Sequence, residues 1–160
     1  MNIQTLSAAE KREYPVAVVG GGIAGYTAAL ALKNLNIDYI WLGRKPFGDK
    51  LLLAEYVRNF PALVGDGKTF AARLTEQAEK EGLLFTQARI DGIYAGDREF
   101  MLTENGETLS ARAVILCTGV ETAGSCQGEA DFVGRGVSYC AVCDGALYRG
   151  KTIACVLSSK

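Results

Sequence analysis

Histidine is absent from the sequence, and its five cysteines include only one Cys-x-x-Cys pair, formed by Cys140 and Cys143. Structural zinc sites usually take four ligands from Cys and His, so both absences argue against zinc, and we predict no metal site. The odd cysteine count, without a recognisable secretion signal, also argues against a scaffold of disulfides. The pair is therefore a redox couple or a single structural disulfide.

An excess of charge of either sign is also lacking. The 17 basic and 18 acidic residues give a formal net charge of −1 and no basic footprint for nucleic acid or an anionic membrane. No apolar run approaches the roughly 20 residues that span a bilayer, and the first fifteen residues lack the apolar core of a signal peptide. We expect a cytoplasmic protein, and 49% hydrophobic residues suit a packed globular core.

A glycine-rich turn near the start of the chain lies between a predicted strand and a predicted helix. Residues 16–19 are a β-branched run, Gly20-x-Gly22-x-x-Gly25 follows, and helix-forming residues come next. A second apolar run at 37–42 completes a β-α-β unit of about 30 residues. In this context, the first glycine permits the tight turn, the second admits a pyrophosphate, and the third lets the helix pack close to the strand.

The dinucleotide fingerprint lacks one of its usual elements. An acidic residue at the end of the second strand normally holds the ribose, but the strand here runs into Gly43 and Arg44. Arg44 and Lys45 either face a phosphate or stack on adenine, or they form a solvated basic turn. The adenosine half must therefore be held in another way.

The remaining pattern predicts an α/β, Rossmann-like domain with an inserted antiparallel meander. Apolar spacing predicts a helix over 69–81 and five strands, at 83–86, 89–94, 100–103, 107–109 and 113–117. The last strand is expected to be buried, with Cys117 as a packed thiol. We place this domain at 1–118, and a linker with the start of a second α/β domain, apparently incomplete, at 119–160. A strand is expected to begin at Lys151.

Four segments resemble the low-molecular-weight thioredoxin reductases in order and spacing. They read GGGIAGYTAAL after residue 19, EYVRNFPAL at 55–63, ILCTGVE at 115–121 and GRGVSYCAVCDGALYRGK at 134–151. The chains of that family are about twice as long. The strand at 151–156 runs into LSSK instead of the family's second glycine turn. In lacking this turn, the chain resembles the ferredoxin-dependent flavin thioredoxin reductases and related nicotinamide-independent branches.

This resemblance implies a homodimeric flavoprotein that passes electrons from FAD through a cysteine pair to the disulfide of thioredoxin or a similar small protein. It implies ferredoxin as the electron donor. The FAD-binding positions carried over are Gly20, Gly22, Ile23, Ala24, Gly25, Gly43, Arg44, Gly48, Asp49, Lys50, Leu51, Asn59, Thr118 and Gly119.

The resemblance also assigns roles around the cysteines. Cys143 would face the flavin, Cys140 would attack the partner disulfide, and Asp144 would donate and accept the proton. A Cys-x-x-Cys at a helix start lowers a thiol pKa from about 8.5 towards about 7, and an adjacent carboxyl can act as a general acid. Alternatively, Asp144 only caps the following helix. The rival functions are a FAD-binding module with structural cysteines, a reductase for another disulfide substrate, and an NADPH-dependent reductase with a diverged nucleotide site.

Overall fold

The computed structural model describes residues 1–5, 13–47, 49–52, 54, 56–61, 63–104, 106–120 and 126–156. Within the helices and strands, the side chains outside the described atoms are those of Asp49, Arg58, Asn59, Leu63, Val142 and Cys143. Gly48 and the LSSK stretch at 157–160, on which sequence predictions depend, lie outside the described residues.

A seven-stranded mixed sheet forms the centre of the fold, in the order β1-β6-β3-β2-β9-β8-β7. The strands are β1 (Asn2–Thr5), β2 (Glu13–Val19), β3 (Tyr39–Gly43), β4 (Val57–Phe60), β5 (Leu63–Gly65), β6 (Leu84–Gln87), β7 (Gly92–Ala95), β8 (Phe100–Glu104) and β9 (Glu107–Leu116). The helices are α1 (Ile23–Asn34), α2 (Asp49–Leu52), α3 (Gly67–Lys80) and α4 (Ala141–Asp144), with 3₁₀ helices at Glu129–Phe132 and Gly145–Tyr148. The β-α-β unit, the helix predicted at 69–81 and the antiparallel meander are confirmed.

The structure has one strand, β9, where two separate strands were predicted at 107–109 and 113–117, so that prediction is wrong. Ser110 and Ala111 pair on one side with β8 and on the other with β2, so the ladder continues without a break. The meander is therefore continuous with the parallel sheet. The end of β9 is also less buried than predicted, because Ile115 and Leu116 are exposed and belong to neither core cluster.

Three strands, β1, β4 and β5, were not predicted from the sequence. Strand β1 is short and mostly polar, and it pairs in parallel with β6 at the edge of the sheet. Strands β4 and β5 form a separate two-stranded antiparallel sheet. None of the three gives the alternating apolar pattern from which a strand is recognised.

Side-chain alternation along the central strands divides the core into two clusters. Val18 and Trp41 face the first cluster, which α1 and α3 cover, whereas Ala17 and Leu42 face the second. This two-residue period is that of strands buried on both faces. It places the single tryptophan of the chain on the same side of the sheet as helix α1.

One strand predicted after Cys117 is absent from the described residues. Thr152–Val156 forms no strand and is exposed, so the strand expected from Lys151 is wrong. A strand is stabilised by pairing, and in the part of the chain that the structure describes no strand lies beside these residues. Within the same residues, no helix has the length and apolar character needed to cross a membrane.

Candidate functional site

The glycine turn after β2 is shaped by two positions that have no room for a side chain. Gly20 has a φ of +134°, and a Cβ there would lie 2.1 Å from the carbonyl oxygen of Cys117. A Cβ on Gly25 would lie 1.9 Å from the carbonyl oxygen of Gly20. Only glycine permits this close approach of α1 to the ends of β2 and β9.

Gly22 has the opposite environment. Among the described residues, no neighbouring atom lies within 4 Å of the position that a Cβ would occupy, so the space beside it is open. It is the N-cap of α1, and its carbonyl accepts the first helical hydrogen bond from the Tyr26 N–H at 3.0 Å. Gly22 has no side chain to cap the helix, and the N–H groups of Ile23, Ala24 and Gly25 have no intrahelical partner. Open space beside these donors fits the pyrophosphate of a dinucleotide.

The segment after β3 folds back onto the glycine turn. The Phe47 N–H donates to the Gly21 carbonyl at 2.5 Å, with Phe47 in the left-handed region at a φ of +53°. A Cβ on Gly21 would lie 2.0 Å from the Lys45 carbonyl oxygen. Gly43 is buried against Gly21, whereas Arg44 and Lys45 are exposed. The structure therefore brings the start of the predicted 43–51 segment against the turn.

The rest of that segment and the predicted Asn59 are described only in part. Gly48 lies outside the described residues, and so do the side chains of Asp49 and Asn59. Lys50 is exposed on α2, Leu51 is partly buried against the first core cluster, and the backbone of residue 59 lies in β4.

The end of β9 meets the turn from the other side. A Cβ on Gly20 would lie 3.0 Å from the Thr118 nitrogen, so Thr118 adjoins the turn. Gly119 follows with a φ of +71°, and both residues are exposed. Cys117 packs against the first core cluster, and burial raises the pKa of its thiol, which leaves it a packed apolar group as predicted.

Trp41 contacts the turn and was missed by sequence reasoning. Its indole Nε1–H donates to the Gly20 carbonyl at 2.8 Å, and the side chain is 1% exposed. The sequence offers one weak signal, which is that the chain's single tryptophan lies near the end of the strand that leads to Gly43.

The cysteine pair lies at the start of the short helix α4. Cys140 is disulfide-bonded, and its carbonyl accepts a hydrogen bond from the Asp144 N–H at 3.0 Å. Cys117, Cys126 and Cys155 form no disulfide bond. The backbone of residue 143 is helical, but its side chain lies outside the described atoms. Because α4 has only four residues, it supplies less positive potential to the cysteines than the sequence prediction assumed.

Ser138 connects the backbone of Cys140 to the carboxylate of Asp144 and was also missed. Its hydroxyl donates to Asp144 Oδ2 at 2.6 Å and accepts from the Cys140 N–H at 3.1 Å. Asp144 makes no side-chain capping bond to the 3₁₀ helix Gly145–Tyr148, so the alternative role as a cap of the following helix is wrong. Its carboxylate is held towards the cysteine segment instead.

A second contact fixes the residues just before the cysteines. The Tyr139 hydroxyl donates to one oxygen of Glu129, and the other oxygen accepts from the Cys126 N–H at 2.9 Å. The hydrogen bond to Glu129, followed by a small burial effect and the nearby charges, raises the pKa of Tyr139. This carboxylate therefore joins the 3₁₀ helix Glu129–Phe132 to the residue preceding Cys140.

The model of the pyridine nucleotide-disulphide oxidoreductase family matches residues 14–156. The chain belongs to this family. Among the curated members, the thioredoxin reductase of Bacillus subtilis (strain 168) is 33% identical over 149 residues, which is 92% of this chain and 47% of the relative. The thioredoxin reductase of Treponema pallidum (strain Nichols) is 33% identical over 147 residues, 90% of this chain and 48% of the relative.

Solved structures of the family have the same fold. The thioredoxin reductase of Streptococcus pyogenes MGAS5005 aligns with a TM-score of 0.76 at 27% identity, over 87% of this chain and 46% of that one. A ferredoxin-flavin thioredoxin reductase from Clostridium acetobutylicum aligns with a TM-score of 0.67 at 30% identity, over 88% of this chain and 49% of that one. The chain thus spans about half the length of the relatives that it matches.

These similarities confirm the resemblance to the low-molecular-weight thioredoxin reductases. They also confirm FAD as the cofactor, because the family and these relatives are FAD-binding flavoproteins. The glycine turn has the geometry that such a cofactor requires, with open space at Gly22 and, beside it, helix N–H groups that have no intrahelical partner.

Proposed function

We propose that the chain is the FAD-binding and dithiol part of a disulfide reductase that acts on thioredoxin or a similar small protein. The observation that carries this proposal is the disulfide at Cys140, which lies beside a carboxylate held by Ser138 in a chain of this family. Structural disulfides resist reduction, whereas disulfides outside a packed core are more often the labile, catalytic ones. Cys140 lies outside both core clusters.

The proposed FAD site is assembled from the glycine turn and its neighbours. The pyrophosphate would lie at Gly20, Gly22 and the first turn of α1, from Ile23 to Gly25, because the space there is open and the N–H groups are available. The adenosine and ribityl parts would follow residues 43–51. Asn59, Thr118 and Gly119 would line the flavin side. When bound, FAD would accept and pass on two electrons.

The cysteines would carry those electrons to the partner by thiol–disulfide exchange. The Cys140 thiolate would attack one sulfur of the partner disulfide, forming a mixed disulfide and releasing one partner thiolate, which Asp144 would protonate. The Cys143 thiol would then attack Cys140 Sγ, and its proton would pass to the leaving thiolate, so that the second partner thiol is released. The partner gains two electrons and two protons, and the pair is left as a disulfide.

The proposed electron donor is ferredoxin and not NADPH. The support is the sequence of the LSSK stretch at 157–160, in which Leu157, Ser158 and Ser159 stand where the thioredoxin reductases that the chain resembles have a second glycine turn. The Clostridium acetobutylicum relative, a ferredoxin-flavin thioredoxin reductase by its description, is consistent with this choice. Anaerobic mixing of the oxidised flavoprotein with NADPH should cause negligible flavin bleaching, whereas reduced ferredoxin should bleach it. Rapid bleaching by micromolar NADPH would contradict the proposal.

The assembly is proposed from the resemblance, and the domain limits and the location are proposed from the sequence pattern. Residues 1–118 would be the FAD-binding domain, and residues 119–160 would be the linker and the start of the second domain. The protein would be a cytoplasmic homodimer. Sedimentation equilibrium of the flavin-loaded protein tests the assembly, because a homodimer has twice the mass of the chain and a monomer does not.

An anaerobic reductive titration tests the function. The FAD-loaded chain, titrated with dithionite and a mediator dye, should take up about four electrons per flavin, two for FAD and two for the dithiol. Cys140→Ser and Cys143→Ser should each take up about two. After reduction, only the parent should convert a small disulfide protein to its dithiol form stoichiometrically, as measured by thiol labelling.

The rival function, a FAD-binding module with structural cysteines, gives a different titration. A fixed disulfide would leave the parent at about two electrons per flavin, equal to the serine variants. It would also leave the partner protein oxidised after mixing. Either result would contradict a dithiol role for Cys140 and Cys143.

A further inference from the structure

The two peptide groups that flank the Gly20 Cα are both held by strand β3. The Gly20 N–H donates to the Leu42 carbonyl at 2.7 Å, and the Gly20 carbonyl accepts from Trp41 Nε1 at 2.8 Å. Both partners lie on β3. Strand β3 therefore fixes the orientation of the first peptide of the turn as well as pairing with β2.

The absence of a side chain at Gly25 makes room for the tryptophan contact. A Cβ on Gly25 would lie 1.9 Å from the Gly20 oxygen and 2.9 Å from Trp41 Nε1. The third glycine of the motif thus does more than bring helix and strand together. In this chain it also leaves space for a hydrogen bond between an indole and the first glycine.

The indole has little freedom to leave this contact. Its ring packs edge-on against Phe85 at 4.9 Å between centroids, and Tyr26 and Phe47 lie at 6.2 and 6.4 Å. All four side chains are buried. Close packing on several sides keeps the Nε1–H directed at the Gly20 oxygen.

We propose that Trp41 is a positioning residue for the FAD pyrophosphate, acting through the Gly20–Gly21 peptide. This inference rests on the proposed FAD site. In a planar trans peptide the C=O and the following N–H point in opposite directions, so a Gly20 carbonyl turned towards Trp41 keeps the Gly21 N–H pointing away from it. Without the indole donor, the Gly20 carbonyl loses a hydrogen bond that directs it into the core, and the negative end of the peptide dipole can tilt outwards, although the bonds at the Gly20 N–H and the Gly21 carbonyl remain. An anion in the turn would be repelled.

Replacing the indole N–H while keeping the ring tests this role. The benzothienyl analogue of tryptophan, introduced at position 41 by codon suppression, has sulfur in place of N–H and nearly the same shape. 5-Fluorotryptophan at the same position is the matched control, because it keeps the donor. We expect the benzothienyl protein to bind FAD about tenfold more weakly than the control, measured by the quenching of flavin fluorescence. Trp41→Phe should weaken binding in the same direction.

The free energy of unfolding of the FAD-free protein separates positioning from a general structural role. A positioning residue weakens FAD binding without a matching loss of stability, whereas a general structural role lowers both together. A dissociation constant for FAD within twofold of the control would overturn the inference, whatever the change in stability. A parent protein that binds no FAD would overturn the proposed function and this inference with it. A parent that binds FAD as tightly as its benzothienyl variant would overturn only the role of Trp41.

Discussion

The glycines of the sheet and those of the cysteine-bearing segment are used differently. In the sheet region, a Cβ on Gly20, Gly25 or Gly43 would lie within 2.8 Å of a backbone atom. In the segment after Cys117, no atom lies within 4 Å of a Cβ built on Gly128 or Gly145. Packing therefore demands glycine at these three positions of the sheet region. In the segment after Cys117, the left-handed backbone requires glycine at Gly128, whereas no contact among the described residues requires it at Gly145.

This difference extends to what holds each region in shape. The sheet region has two buried clusters, whereas Phe132, Tyr139 and Leu147 are exposed in the segment. The described contacts that fix the segment are polar, through Ser138 and Glu129. We infer that burial stabilises the sheet region and that local hydrogen bonds hold the segment after Cys117. Hydrogen bonds at exposed groups contribute little each, so the second region should tolerate substitution better.

The contrast is greatest between Gly25 and Gly145. Gly25→Ala places a methyl group 1.9 Å from a backbone oxygen, which can move only if α1 shifts away from β2. We expect a loss of about 3 kcal/mol or more in the free energy of unfolding, measured by urea titration with Trp41 fluorescence. Gly145→Ala, in open space and without a left-handed φ, should stay within about 0.5 kcal/mol of the parent. Equal losses in both variants would break the comparison.

The sequence predicted the part of the site that depends on local pattern. The strand, glycine turn and helix follow from composition and spacing, because Gly20, Gly22 and Gly25 act within one β-α-β unit. The contacts of Trp41 and Ser138 depend on residues brought close by the fold, 21 and 6 positions away in the chain. No periodicity encodes such partners. The single strand β9 was missed for a related reason, since its continuity depends on β2 as a second neighbour.

Gly22 lies in the sheet region, but we expect the ligand, and not the fold, to require glycine at this position. Its φ of −80° suits any residue, and Asp and Asn are both better N-caps than most side chains. Gly22→Asp should therefore keep the stability of the FAD-free protein while weakening FAD binding about 100-fold or more, because it fills the open space with a negative charge.

Gly22→Asn is the matched neutral control, since its side chain has nearly the same size. It should bind FAD more tightly than Gly22→Asp but more weakly than the parent. Equilibrium dialysis with FAD measures all three proteins. If Gly22→Asp retains the parent affinity, the pyrophosphate does not lie beside Gly22.

Ser138 tests whether polar contacts hold the dithiol region. Ser138→Ala removes the hydroxyl that joins Asp144 Oδ2 to the Cys140 N–H. We expect the rate of thiol–disulfide exchange with a small disulfide protein to fall about three- to tenfold, because the carboxylate loses its orientation. Stability by Trp41 fluorescence should not change. Ser138→Thr keeps the hydroxyl and should recover most of the rate, and equal rates in the two variants would argue against orientation by Ser138.

The smallest effect is expected at Asp66, a polar contact in the region that burial dominates. Asp66 is the N-cap of α3, and its carboxylate accepts from the Thr69 N–H and from the Thr69 hydroxyl, both at 2.8 Å. The hydrogen bond from the Thr69 N–H, then that from its hydroxyl, lowers the pKa of Asp66 below its usual value. A carboxyl whose pKa is lower in the folded state stabilises the fold fully above its unfolded pKa of about 3.9 and loses that contribution as the pH falls through the folded value.

Asp66→Ala should therefore lower the urea midpoint at pH 7, and the difference from the parent should shrink below about pH 4. Asp97→Ala, in the exposed turn between β7 and β8, is the control. A difference that stays constant from pH 7 to pH 2.5, the latter about one unit below the unfolded pKa, would show that the cap does not act through the charged carboxylate.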